Sequence, residues 1–81
     1  MAMPQPGNGR IQFLLTLKTP AIVEINLYNL GGERVAVLEG NLAAGTQALS
    51  WDCAAVAPGI YLARVLVAGE EFQKLKVAIV R

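Results

Sequence analysis

Among the side chains that could carry out acid–base or nucleophilic chemistry, this 81-residue chain has six carboxylates and one thiol, and it has no histidine. Without histidine the commonest general base is missing, and Cys53 has no imidazole to activate its thiol. Paired carboxylates could hydrolyse glycosides only if burial raised the pKa of one of them. The glutamates fall at predicted outward or turn positions, where water solvates them. We therefore predict that the chain is not an enzyme.

Cofactor chemistry has equally little support in the sequence. Asp52, Asn41 and Glu39 carry the oxygen ligands that calcium prefers, but their spacing matches no calcium-binding loop. The pair Gly31 and Gly32 lacks the strand–loop–helix context of a phosphate-binding loop. We expect neither a metal ion nor a cofactor.

The aromatic side chains could instead form a platform for sugars. Trp51, Tyr28 and Tyr61 are the candidates, but a single tryptophan in a small β domain is usually core material. Tyr28, next to a predicted turn, is the best candidate for an exposed ring. A carbohydrate-binding accessory module therefore stays open as an alternative.

The charges are spread along the chain and sum to +1. No basic face of the kind that neutralises phosphates is present, so we expect no nucleic-acid partner. Lys74, Lys76 and Arg81 form a row on one face of the last predicted strand. Such a row either protects an exposed sheet edge from aggregation or is a recognition strip that another protein reads.

Composition indicates one small folded domain. At 54% hydrophobic and 16% charged residues, the chain is more apolar than an average domain, which indicates a partner surface or a domain cut from a longer protein. No apolar run approaches the roughly 18 residues of a membrane span, and the first residues lack the pattern of a signal peptide. Pro4, Pro6 and the glycines beside them favour extended, mobile backbone. We predict a linker or cloning remnant over residues 1–9 and one domain over residues 10–81.

Hydrophobic alternation of period two predicts the strands of that domain. Residues 11–18, 23–28 and 46–52 alternate apolar and polar, and residues 33–38 return after a two-glycine turn. Residues 39–45 are expected to be a connection. Residues 59–68 are apolar on both faces except at Arg64, which predicts a central strand covered on both sides. Residues 74–81 are expected to form the last strand. The pattern predicts an all-β, Ig-like antiparallel β-sandwich of about six to seven strands.

Two segments resemble known Ig-like families. Residues 23–35, Val-Glu-Ile-Asn-Leu-Tyr-Asn-Leu-Gly-Gly-Glu-Arg-Val, resemble a hairpin shared by flagellar hook-cap domains and by the C-terminal sorting domains of the type IX secretion system. Residues 42–52, which close on Ser-Trp-Asp, resemble the next segment of both families. Only residues 53–57 then precede the Pro58–Gly59 turn, and this short connection favours the sorting domain.

The last part of the chain extends this resemblance. Sorting domains share motifs near their C-terminal end, and these motifs resemble three parts of this chain. The three parts are Pro58, Gly59 and Tyr61, then Gly69, and then the strand that carries Lys74. Pro58 directly precedes Gly59, where many members have one residue between them. The likeness covers residues 10–81.

The resemblance implies a non-enzymatic domain that targets a cargo protein, fused upstream of it, across the outer membrane. It implies the secretion machinery and a sortase-like peptidase as partners, and an extracellular or cell-surface location. It also points to the residues that the machinery would recognise: Pro58, Gly59, Tyr61, Gly69, Lys74, Lys76 and Arg81. The other alternative is a structural subunit that self-associates through its apolar edges.

Overall fold

The structure, a computed structural model, describes residues 3–7 and 9–80, the former through their backbone. The described residues form seven β-strands and no helix. The strands are β1 (Met3–Gly7), β2 (Arg10–Leu17), β3 (Ala21–Tyr28), β4 (Arg34–Leu42), β5 (Gly45–Asp52), β6 (Gly59–Val67) and β7 (Glu70–Ile79). The predicted all-β class is confirmed.

The strands build two antiparallel sheets that pack as a sandwich. One sheet has three strands in the order β1-β2-β5, and the other has four in the order β4-β3-β6-β7. Within the described residues, β7 and β4 are therefore the edges of the larger sheet. β6 is a central strand, paired on one side with β3 and on the other with β7.

Period-two alternation explains why these segments are strands and which face each one buries. In β2, Ile11, Phe13, Leu15 and Leu17 are buried, and every second residue between them points outward. The inward residues of the two sheets form a single hydrophobic core, to which Trp51 of β5 belongs. The prediction that Trp51 is a core anchor is confirmed.

Two tight turns use backbone conformations that most residues avoid. Gly32, in the turn after β3, has a φ of 86°, and Gly69, between β6 and β7, has a φ of 82°. Ala68 precedes Gly69 with a φ of 52°, so both central residues of this two-residue hairpin are left-handed. Alanine is a poor residue for such a position because its Cβ crowds the following carbonyl oxygen.

Two expectations about the strands need correction. The predicted connection over residues 39–45 is mostly strand, because β4 continues to Leu42 and only two residues separate it from β5. The alternation in this stretch is weak because Gly40 has no side chain. β6 is central, as predicted, but it is not covered on both sides: Ile60 and Leu62 are exposed on the outer face of the sheet.

The first residues also differ from the mobile backbone expected for residues 1–9. Met3–Gly7 pairs with β2 in an antiparallel register that runs from Met3 opposite Leu14 to Gly7 opposite Arg10. Proline cannot donate to a sheet ladder, but an edge strand tolerates it where the missing N–H would face away from the sheet. The extended backbone that the prolines favour therefore suits an edge strand as well as it suits a linker.

Candidate functional site

The outer faces of the two sheets differ in chemistry. On the three-stranded sheet, the outward side chains of β2 and β5 are mostly small or polar, and Thr16 and Thr46 share a hydrogen bond of 3.2 Å between their hydroxyls. On the four-stranded sheet, Ile22, Val37, Ile60 and Leu62 are between 40 and 57% exposed. Ile60 and Leu62 lie at one end of this face and Ile22 lies at the other. Exposed apolar side chains of this kind are candidates for contact with a partner.

A group of charged side chains lies on the same outer face, at the β6–β7 pair. Arg64 and Lys74 are directly opposite each other in the register, which places two positive charges side by side. Glu71 lies between them: its Oε1 accepts a hydrogen bond of 2.8 Å from Arg64 Nε and lies 3.8 Å from Lys74 Nζ. The hydrogen bond from Arg64 to Glu71 raises the pKa of Arg64 above its ordinary value, so the guanidinium stays charged.

The buried polar residue Asn26 supports this face from the neighbouring strand. Asn26 is directly opposite Arg64 in the β3–β6 register and is only 4% exposed. Its Nδ2 donates to Glu24 Oε2 at 3.3 Å, and its Oδ1 accepts a hydrogen bond of 3.4 Å from Arg34 Nη1. A buried amide needs such partners, because leaving it unpaired would cost about 1–3 kcal/mol.

These elements enclose a groove of about 460 Å³ on the outer face. The floor comes from β3 and β6, one wall from the turn after β3, and the other from β7. We call it the Arg64 groove. Its lining residues are Tyr28, Asn29, Leu30, Gly32, Leu62, Ala63, Arg64, Glu71 and Lys74. Both its volume and its mixed lining suit a small ligand or a side chain of a partner.

The structure places two of the three predicted basic residues on an edge strand. Lys74 and Lys76 are exposed on the outer face of β7. Lys74 lines the Arg64 groove, whereas Lys76 lies opposite Leu62 outside it. Arg81 lies outside the described residues. Both interpretations of the basic row, edge protection and recognition, need this exposed edge.

The glycines and the proline of the predicted site shape the backbone. Pro58 is exposed in the connection between β5 and β6, and Gly59 begins β6 with a φ of 152°, where a Cβ would be strained. Gly69 lies at the β6–β7 hairpin. These residues set the geometry of two turns at opposite ends of β6, so the structure does not bring them into one cluster with the lysines.

Tyr61 and Trp51 are buried and cannot form an exposed sugar platform. Tyr61 is 6% exposed and Trp51 is 3% exposed, and the two rings pack against each other. The Tyr61 hydroxyl donates a hydrogen bond to the Ala57 carbonyl oxygen, which ties the connection before β6 to the strand. Of the three candidate rings only Tyr28 is partly exposed, and it faces the Arg64 groove.

Residues that could hold a metal ion do not converge in the part of the chain that the structure describes. No group of three or more His, Cys, Asp or Glu side chains lies there in ligand geometry. Cys53 is buried, and its backbone N–H donates to the Gly9 carbonyl at 3.1 Å. Its thiol therefore packs in the core, as a small apolar residue would.

Sequence reasoning did not predict the Arg64 groove. The feature of the sequence that pointed to the groove is Arg64, the one charged residue in the otherwise apolar strand β6. The alternation does not predict the position of Glu71, because β7 contains a bulge. Val65 pairs with Gln73 and Leu66 pairs with Glu71, so Phe72 has no partner residue in the β6–β7 register. The bulge places Glu71 on the outer face within reach of Arg64, which a simple alternation counted from Lys74 does not predict.

Comparison with known families gives a match over nearly the whole chain. Residues 2–80 match the family described as secretion system C-terminal sorting domain. The match begins upstream of Arg10 and so includes β1. Comparisons with curated proteins and with solved structures gave no match.

Among the described residues, the structure has no helix that is long and apolar enough to cross a membrane.

The sorting-domain family acts as a signal rather than as a catalyst, and it implies a secreted or cell-surface protein. The resemblance noted in the sequence is thereby confirmed. The chain belongs to the family of secretion system C-terminal sorting domains.

Proposed function

We propose that this domain is the sorting signal of a larger protein and directs a cargo fused upstream of it across the outer membrane through the type IX secretion system. The observation that carries the proposal is the family match over residues 2–80. The fold supports it, because an antiparallel sandwich with an edge strand offers a place where a partner protein can bind. The cargo would reach the cell surface or the medium.

Recognition by the secretion machinery would use the edge of the larger sheet. Within the described residues β7 is an edge strand of the larger sheet, onto which a partner strand can add, and it carries Lys74 and Lys76 on its outer face. Positive charges there would steer an acidic partner into register. Pro58, Gly59 and Gly69 would act indirectly by fixing both ends of β6, and Tyr61 would act by holding the connection before it. Arg81, the third predicted basic residue, would add its charge to the same recognition.

A sortase-like peptidase is the second expected partner. It would remove the domain after export, by cutting between the cargo and the sandwich.

The charge-recognition step can be tested with a double substitution that leaves the strand intact. Lys74→Gln with Lys76→Gln keeps a polar side chain at both positions and removes two exposed charges, which contribute little to folding. In a reporter fusion expressed in a host with a type IX system, the double variant should leave most reporter in the periplasm, whereas the unmodified domain exports it. Normal export by a folded double variant would remove these lysines from the recognition step.

Self-association is the second candidate function, and the exposed apolar outer face of the larger sheet favours it. Sedimentation velocity over a hundredfold concentration range tests it. A subunit would assemble as the concentration rises, and a constant monomer would exclude this role. A carbohydrate-binding module would have Tyr28 alone of the three candidate rings, because Trp51 and Tyr61 are buried.

A further inference from the structure

The Arg64 groove has an excess of positive charge. Arg64 and Lys74, opposite each other on neighbouring strands, share the single carboxylate of Glu71. Lys76 lies one pair further along β7 on the same face. A second carboxylate placed between Arg64 and Lys74 would reduce the repulsion between them, so the groove is electrostatically suited to an anion.

Arg64 is well placed to bind that anion directly. A guanidinium carries five N–H donors, and Glu71 takes the one on Nε. The side chain is 45% exposed, so further donors remain within reach of a ligand in the groove. Arginine forks of this kind bind carboxylates with two parallel hydrogen bonds.

Apart from Asn29 and the Tyr28 hydroxyl, the remainder of the lining is apolar. Leu62 is 40% exposed beside Arg64 on β6, and Leu30, in the turn after β3, is 71% exposed. The ring of Tyr28 lies between these elements and is only partly buried. A free inorganic anion would leave these surfaces in water, whereas a ligand with an apolar group next to its carboxylate would cover them.

We infer that the Arg64 groove binds a segment of a partner protein that presents an aliphatic or aromatic side chain beside a carboxylate. The carboxylate pairs with Arg64 and Lys74, and the apolar side chain packs on Tyr28, Leu62 and Leu30. The identity of the partner as part of the secretion machinery rests on the proposed function. The preference of the groove for a carboxylate beside an apolar group is independent of the proposed function.

The preference is tested by titrating the ¹⁵N-labelled domain with three probes and following the amide resonances by NMR. N-acetyl-leucine carries both features, N-acetyl-leucinamide lacks the carboxylate, and inorganic phosphate lacks the apolar group. N-acetyl-leucine should shift the amides of Tyr28, Leu62 and Arg64 in a saturable way, and the other two probes should bind at least about tenfold more weakly. Equal binding of the amide or of phosphate overturns the inference.

Three substitutions locate the effect. Arg64→Gln should weaken N-acetyl-leucine binding about tenfold, since it removes the charged fork. Glu71→Gln should tighten binding, since it removes the carboxylate that competes for Arg64. Lys18→Gln removes a positive charge from the exposed turn between β2 and β3, at the opposite end of β3 from Tyr28, and should change the affinity less than twofold. All three positions are exposed, so circular dichroism should show folded domains. Unchanged affinity in Arg64→Gln, or weaker binding in Glu71→Gln, contradicts the assignment.

Two further readouts separate this inference from its rivals and from the proposed function. Amide shifts in the groove that depend on protein concentration without any probe would identify a second copy as the occupant and overturn the inference. In the reporter fusion, Arg64→Gln should reduce export if the groove contacts the machinery. Normal export by this variant overturns that partner assignment. Failure of the unmodified fusion to export the reporter overturns the proposed function. The probe titration then still tests which ligand the groove binds.

Discussion

The rings of Trp51 and Tyr61 join the two sheets of the sandwich edge to face, with their centroids 5.6 Å apart and their planes at 77°. Trp51 is the next-to-last residue of β5 in the smaller sheet, and Tyr61 lies near the start of β6 in the larger sheet. Such aromatic pairs contribute about 0.5–1.5 kcal/mol beyond the burial of their area. The pair therefore connects the sheets at the point where the chain crosses from one to the other.

Truncating the first ring of this pair should remove most of the stability of the domain. Trp51→Ala is expected to lower the free energy of unfolding by about 3–5 kcal/mol, because it leaves a large cavity in the core. A small domain has only about 5–15 kcal/mol in total. Urea unfolding followed by circular dichroism measures the loss. Ile60→Ala, on the exposed face, is the control and should cost far less; equal losses in the two variants would contradict a core position for Trp51.

Removing only the hydroxyl of Tyr61 separates its hydrogen bond from its packing. Tyr61→Phe keeps the ring against Trp51 but deletes the bond to the Ala57 carbonyl. Because Ala57 is exposed, water can replace the lost donor, and we expect a decrease of about 0.5–1.5 kcal/mol in the free energy of unfolding. Faster amide hydrogen exchange in residues 53–58 should accompany it. Unchanged exchange there would show that the bond does not hold this connection.

The β6–β7 hairpin offers a substitution that should stabilise the domain. Ala68 is left-handed and is followed by Gly69, so asparagine, which tolerates this conformation, suits the position better. Ala68→Asn should raise the free energy of unfolding by up to about 1 kcal/mol. The hydrogen bond from the Ala68 N–H to the Ile22 carbonyl is retained, since it involves only backbone.

The matched control for this hairpin is Gly69→Ala, which puts a Cβ on a residue with a φ of 82° and should lower the melting temperature. If Ala68→Asn lowers the melting temperature as well, the left-handed conformation of Ala68 is wrong.

The strands could be predicted from the sequence because alternation and turn residues determine them locally. Residues 11–18 and 46–52 alternate apolar and polar, and their apolar members Phe13 and Trp51 are buried. The outer face could not be predicted in the same way. Leu62 is as apolar as a core residue, and only the absence of a third layer leaves it exposed.

The Arg64 groove depends on pairing between strands that are separated in the sequence. Arg64 and Lys74 are opposite because of the hairpin register, and Glu71 reaches them because of the bulge at Phe72. Neither the register nor the bulge can be predicted from the local sequence pattern alone. A shift of one residue in the strand pairing would move every side chain of the strand to the other face of the sheet. The strand β1 was missed for a related reason: proline-rich extended backbone suits a linker and an edge strand equally.

The central claim, that this domain is a sorting signal, is tested most directly by the location of a reporter fused upstream of the whole chain. The fusion, directed to the periplasm, is expressed in two otherwise identical hosts, one with an intact type IX system and one without it. We predict reporter activity at the cell surface or in the medium of the first host and only in the periplasm of the second. Folded reporter fusion confined to the periplasm of both hosts would contradict the claim.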